Sequence, residues 1–231
     1  MIPASGDPLG ARAFPRRAPG LTPLVLIALA LALSTRVRAV EPQAPGRSAE
    51  AVRVTDWIAA THDNHALPYA IIDKKTASIL LFDARGKAVA AAPVLIGIAL
   101  GDDATPGIGK KSLSEIGPAE KTTPAGRFLA RYGWAAGRQR MLWVDYADSV
   151  GLHPIPSDAS PKERRRARML SPTNEDNRIT FGCINVPSAF YAKVRRLFQR
   201  KGGYVYVLPD TKPIEAVFPA LRAQPFLRPA P

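Results

Sequence analysis

Arg178-Ile179-Thr180-Phe181-Gly182-Cys183-Ile184-Asn185-Val186-Pro187 carries the single cysteine of a 231-residue chain. Gly182 lets the backbone turn tightly or approach a ligand closely, and Cys183 falls between an expected strand end and the start of an expected helix. The helix is read from Pro187 and Ser188 as start signals and from the apolar stripe Phe190, Val194, Leu197 and Phe198. Arg195, Arg196, Arg200 and Lys201 precede its stop at Gly202-Gly203. A thiol with a pKa of about 8.5 is mostly protonated at neutral pH, but a helix N-terminus and a neighbouring imidazolium lower that value. With one cysteine the chain forms no internal disulfide, so Cys183 is an inert buried thiol, a site of intermolecular pairing, or a nucleophile.

The nucleophilic reading needs a histidine, and the chain has three. His62 and His65 lie in Thr61-His62-Asp63-Asn64-His65, which reads as an exposed polar turn. His153 ends the strand-like run Val150-Gly151-Leu152 and is followed by Pro154, which holds its ring at a strand edge. A histidine after a strand is a structural residue unless a nucleophile makes use of it.

Upstream of this pair the pattern is that of short strands. Tyr69 to Asp73 and Ser78 to Asp83 are β-rich runs separated by Lys74-Lys75-Thr76, and Ala84-Arg85-Gly86-Lys87 turns the chain into Val89 to Ile98. Further strands are expected at Arg127 to Tyr132, Met141 to Tyr146 and Tyr204 to Leu208. The fold class is therefore mainly β, with a helix following Cys183 and a short N-terminal helix over Ser48 to Thr61, where Ala51, Val54, Trp57, Ile58 and Thr61 recur at helical spacing.

The order His153, long loop, then Gly182-Cys183-Ile184-Asn185 resembles the signature of the L,D-transpeptidase catalytic (YkuD-like) domain. Lys121-Thr122-Thr123-Pro124-Ala125-Gly126-Arg127-Phe128 resembles that family's threonine-proline-x-glycine-x-phenylalanine segment, and Val94-Leu95-Ile96-Gly97 is similar to its strand ending in glycine. The resemblance runs over about residues 67 to 208. It implies a β-sandwich or barrel-like catalytic fold in which Cys183 attacks the carbonyl between the third and fourth residues of a peptidoglycan tetrapeptide stem. His153 would carry the proton from thiol to leaving amine, with a thioester acyl-enzyme between. Main-chain N–H groups around Gly182, Cys183 and Ile184 would stabilise the oxyanion. Thr180 matches the family's Ser/Thr position, where its hydroxyl either bonds to the turn or faces the substrate. Asn185 matches the polar residue two beyond the cysteine; it holds the loop or the donor peptide, or else caps the following helix. No metal or other cofactor is expected.

Two positions depart from the pattern. Phe181 stands where most members have histidine directly before Gly-Cys, and Pro154 where a small residue is common. Phe181 neither shares a proton nor donates a hydrogen bond, which leaves the acceptor open. An L,D-carboxypeptidase would share the same residues and use water; a non-catalytic wall-binding domain would have lost activity at Phe181; a structural β-domain would hold an inert thiol. Pro154 to Asn177 is long for a connection, a length typical of a lid, and its centre over Lys162 to Arg168 is strongly basic. That run is either a contact for anionic groups or a solvated helix face.

The ends are read as appendages. Arg12, Arg16 and Arg17 precede the apolar run Leu21 to Leu33, and Val37-Arg38-Ala39 supplies small residues, so residues 1–39 are expected to be a signal peptide cleaved after Ala39. The apolar run is shorter than the roughly 20 residues of a spanning helix, so no stable membrane span is expected after cleavage. Residues 40–66 form a linker and the short helix, residues 67–209 the catalytic domain, and residues 210–231 a Pro-rich tail. Loss of the leader removes five arginines and Asp7, lowering the formal charge from +13 to +9. A basic exported protein points to the periplasm or cell envelope, with peptidoglycan stem peptides and an anionic wall polymer as partners. Export, together with the lack of zinc-ligand spacing, aromatic-basic strand motifs and helix-turn-helix patterning, argues against nucleic acid.

Overall fold

In a computed structural model, residues 47–135 and 140–223 are described. The expected leader with its cleavage point, the linker up to residue 46 and the tail from residue 224 lie outside the described residues. α1 (Ala49–Thr61) begins where Ser48 accepts the Ala51 N–H at 3.0 Å. The antiparallel strands β1 (Tyr69–Asp73) and β2 (Ser78–Phe82) follow, and every residue in them is buried. Alternation explains this: Ala70, Ile72, Ile79 and Leu81 face one apolar cluster, while Tyr69, Ile71, Leu80 and Phe82 face another.

Further along come β3 (Ala88–Pro93), β4 (Ile96–Gly97), β5 (Gly126–Trp134), β6 (Arg140–Asp145) and β7 (Val150–Pro154). They are followed by α2 (Arg165–Met169), β8 (Arg178–Thr180), β9 (Ile184–Val186), α3 (Ser188–Phe198), β10 (Gly203–Val207) and α4 (Ile214–Val217). Eight strands make one sheet in the order β3-β2-β1-β10-β5-β6-β7-β9, and β4 pairs with β8. Leu95, just past β3, exchanges both backbone hydrogen bonds with Asn185 of β9, at 3.0 and 2.9 Å. The chain leaving the first strand of the order thus bonds to the last strand, and the sheet curls almost closed.

Inside the curl, Phe190, Val194 and Phe198 of α3 pack with Val205, Val207, Leu142 and Leu152. Each such side chain, fully buried, contributes about 2 kcal/mol of apolar transfer. The opposite face of β1, β2 and β10 is covered by Val54, Trp57 and Ile58 of α1 together with Ile214, Phe218 and Leu221 from the segment after β10. Among the described residues no helix is long and apolar enough to cross a membrane.

Two expectations change. The run Val89 to Ile98 is not one strand, because Leu95 leaves the β3 ladder to reach Asn185. The helix after Cys183 starts at Ser188, where its start signals put it, but β9 lies between, so its N-terminus does not adjoin the cysteine. Ile184 and Val186 are buried in the core, which commits those residues to extended backbone.

Candidate active site

Three separate sequence segments meet at one threonine. Thr123, only 2% exposed, accepts the Gly97 N–H on its hydroxyl oxygen at 2.9 Å and donates the hydroxyl proton to the Gly182 carbonyl at 2.8 Å. Glycine is required at both ends of this bridge. A Cβ on Gly97 would lie 2.3 Å from the Lys121 carbonyl oxygen, and one on Gly182 would lie 2.7 Å from the Thr122 carbonyl oxygen. Gly182 also has φ +126°, in a region that side chains disfavour. Thr123 itself is held from behind: its carbonyl accepts from Lys74 Nζ at 2.9 Å.

Lys74, read in the sequence only as part of the break between two β-rich runs, has a buried side chain paired with Asp102 (2.9 Å) and Asp210 (3.4 Å). A run of two lysines and a threonine between strands gives no sign of this.

Thr180 closes the cysteine turn from the other side. Its hydroxyl donates to the Cys183 carbonyl at 2.6 Å and accepts the Gly182 N–H at 3.2 Å. Of its two expected roles, Thr180 therefore takes the turn-holding one. Gly182 is tied on both its N–H and its carbonyl, which leaves it as loop support rather than as an oxyanion donor. Ile184 turns its side chain into the core, so only its backbone borders the site.

The parallel pairing of β7 with β9 sets the rest. His153 stands opposite Asn185, with Leu152 opposite Ile184. By two-residue alternation Cys183, two before Asn185, belongs to the face that carries His153. The half-buried thiol donates to the Ser149 carbonyl, with Sγ to O at 3.7 Å, rather than to the imidazole. Burial pushes its pKa up, while the Gly151 N–H and the Arg165 charge offset part of that rise. The expected help from a helix N-terminus is missing because β9 separates Cys183 from α3.

His153 Nδ1 lies 2.7 Å from the Pro154 carbonyl, which acts only as an acceptor, so Nδ1 carries the proton and Nε2 the lone pair. Burial lowers the pKa of His153; the Pro154 carbonyl opposes this, and the Arg165 charge adds to it. Both directions favour a neutral thiol beside a neutral imidazole at rest.

Asn185 is fully buried and does not cap α3, whose N-cap is Pro187 without a side-chain bond. Its Oδ1 accepts from Arg165 Nη1 at 2.8 Å, which turns its amide nitrogen toward His153 Nε2 at 3.4 Å. Arg165 is the residue that sequence reasoning missed. It sits within an all-arginine run, and only tertiary contact separates it from exposed Arg164 and Arg166. His62 and His65 are exposed residues of the turn after α1. Phe181 is also exposed, with Lys121 Nζ 3.8 Å from its ring centroid.

No family model and no curated protein matches the chain. Among solved structures it is similar to the L,D-transpeptidase from Xylanimonas cellulosilytica, at 15% identity and TM-score 0.36, over 61% of this chain and 60% of that one. It is also similar to the catalytic domain of the E. faecium L,D-transpeptidase, at 16% identity and TM-score 0.36, over 61% and 95% of the two chains. A third is the helical cell shape determining protein from Campylobacter jejuni, at 14% identity and TM-score 0.39, over 72% and 58%. The chain thus spans less than two thirds of the Xylanimonas and Campylobacter structures. Identities this low bear on fold alone, and superpositions this loose carry no argument about activity. The mainly β, nearly closed chain is similar in fold to L,D-transpeptidase catalytic domains.

Proposed function

We propose that this protein is an exported cysteine acyltransferase acting on peptidoglycan tetrapeptide stems, with Cys183 as nucleophile and His153 as general base. The observation that carries the reading is the tautomer of His153: the Pro154 carbonyl holds the proton on Nδ1, so Nε2 presents its lone pair, which the Asn185 amide meets only at 3.4 Å, a bond long enough to give way to a thiol.

In this reaction the Sγ–H proton passes to Nε2 as the sulfur–carbon bond forms at the carbonyl between the third and fourth stem residues. Collapse of the tetrahedral adduct breaks the carbon–nitrogen bond, and the proton goes from Nε2 to the leaving amine. A thioester remains. An acceptor amine then attacks it while losing its own proton to Nε2, and that proton returns to the departing sulfur. The Cys183 N–H is the donor assigned to the oxyanion, since the Gly182 N–H is taken by Thr180. Substrate must bring the thiol from the Ser149 carbonyl to Nε2, a tightening common on passing to the Michaelis complex. Residues 1–39 direct the chain to the periplasm or cell envelope, and the basic surface favours an anionic polymer there.

The test is mass spectrometry of purified disaccharide-tetrapeptide incubated with the protein and with Cys183→Ala. Cross-linked dimer that the variant fails to make is the expected product. Tripeptide without dimer would assign water as acceptor and make the enzyme an L,D-carboxypeptidase. Unchanged substrate would overturn the reading.

A further inference from the structure

Arg165 differs from its neighbours in the basic run. Its side chain is 13% exposed, and Glu163 holds it as a fork, with Nε to Oε2 at 2.7 Å and Nη2 to Oε1 at 3.4 Å. Nη1 reaches Asn185, whose amide nitrogen faces His153 Nε2. These bonds use three of the five guanidinium N–H groups, leaving one on each terminal nitrogen. A fixed guanidinium with two such donors takes a carboxylate in a charge-assisted pair.

The location of that cation decides which carboxylate it suits. His153 hands its proton to the leaving amine, so the leaving residue must lie on the His153 side, where Asn185 and Arg165 are. In a donor that ends one residue beyond the attacked carbonyl, the terminal carboxylate carbon is two bonds from the leaving nitrogen, about 2.5 Å away. A longer donor has a neutral amide at that place. Arg165 also borders an open groove with Ile155, Pro156, Pro161 and Ala167, which gives a chain end room to enter.

We infer that Arg165 is the specificity-determining residue of this site, binding the free carboxylate of the residue that leaves and so selecting acyl donors that end one residue past the attacked carbonyl. The inference rests on the reading of Cys183 and His153 as the reacting pair.

The experiment has two arms, so that either idea can fail alone. In the first, Cys183 is alkylated with iodoacetate and with neutral iodoacetamide, and the ratio of rates is compared between the wild-type protein, Arg165→Gln, Arg165→Lys and Arg166→Gln. Iodoacetate carries its carboxylate beside the electrophilic carbon, and the ratio cancels any change in thiolate fraction. The ratio falls at least fivefold in Arg165→Gln, is largely retained in Arg165→Lys and is unchanged in Arg166→Gln, which removes the same charge from an exposed position. An unchanged ratio in Arg165→Gln, or an equal fall in Arg166→Gln, overturns the assignment.

In the second arm, kcat/KM is compared for a tetrapeptide stem and its C-terminal amide. The wild-type protein prefers the free acid at least tenfold, and Arg165→Gln erases the preference by slowing the acid form alone. Equal rates for acid and amide with the wild-type protein overturn the specificity assignment. Absence of turnover by the wild-type protein, alongside an intact iodoacetate preference, would instead sink the stem-peptide reading and leave the carboxylate site standing.

Discussion

At the scale of single residues, the site combines a thiol and an imidazole that burial holds neutral. The pKa of Cys183 is pushed up and that of His153 down, so the thiolate is not preformed. Alkylation of Cys183 by iodoacetamide is therefore expected to be slow at neutral pH and to climb with a midpoint above that of a free thiol. A rate already at its plateau at pH 7 would show that the ion pair exists at rest. If His153 is the base, His153→Ala lowers turnover by about 100-fold or more, the range typical of a lost general base, while His62→Ala leaves steady-state kinetics unchanged. The acid side has a worked sign as well. His153 in the folded protein has a pKa below its unfolded value, so it stays neutral while the unfolded chain takes up a proton. Its contribution to stability is present above the unfolded value of about 6.5 and is lost as pH falls through the folded value.

At the scale of elements, short pieces define the site and long ones hold it. β9 has three residues, too few for periodicity to reveal, and its middle residue is a buried asparagine that reads as loop or cap. The cross-bonds from Leu95 and the pairing with β7 make it a strand. α3, by contrast, is plain in its apolar spacing, and its Phe198 is fully buried. Phe198→Ala is expected to cost about 3–5 kcal/mol, measured by urea unfolding. A loss below about 1 kcal/mol would mean that α3 does not pack inside the curled sheet. α2 lay hidden within a connection read as a basic lid or a solvated face. Of its three arginines Arg166 is exposed, Arg168 is half-buried against the Glu163 carbonyl, and Arg165 turns inward to Asn185.

For the whole molecule, the segment after β10 is fastened to the site through a buried ionic cluster. Asp102 accepts from the backbone N–H groups of Asp210, Thr211 and Lys212 as well as from Lys74. Burial alone would raise its pKa, but those N–H bonds, the Lys74 ammonium and the Thr211 hydroxyl outweigh it and hold the carboxyl well below its ordinary value. The folded state therefore binds fewer protons than the unfolded chain. The stabilisation is fully present above the unfolded value of about 3.9 and is lost as pH drops toward the folded one. Asp102→Asn is expected to cost about 3 kcal/mol by leaving the buried Lys74 with Asp210 as its remaining carboxylate, and to flatten the decline of stability below about pH 4. Urea midpoints from pH 3 to 7 check both; a variant with the wild-type acid slope would remove Asp102 as the cause. Because Lys74 also holds the Thr123 carbonyl, the variant should loosen the cysteine turn and speed alkylation of Cys183.

The sequence by itself determined what local pattern encodes: the mainly β character, the helix after the cysteine, and the candidates Cys183 and His153. Alternation, turn residues and helical spacing are properties of neighbours along the chain, and a lone cysteine with few histidines leaves a small set of pairings. Tertiary structure alone decided which Thr123 partners lock Gly97 to Gly182, which arginine of the run faces Asn185, and why Lys74 is buried. It also placed β9, rather than a helix N-terminus, beside the thiol. Those outcomes depend on contacts between residues tens of positions apart, where closure of the sheet sets the distance and the residue type does not.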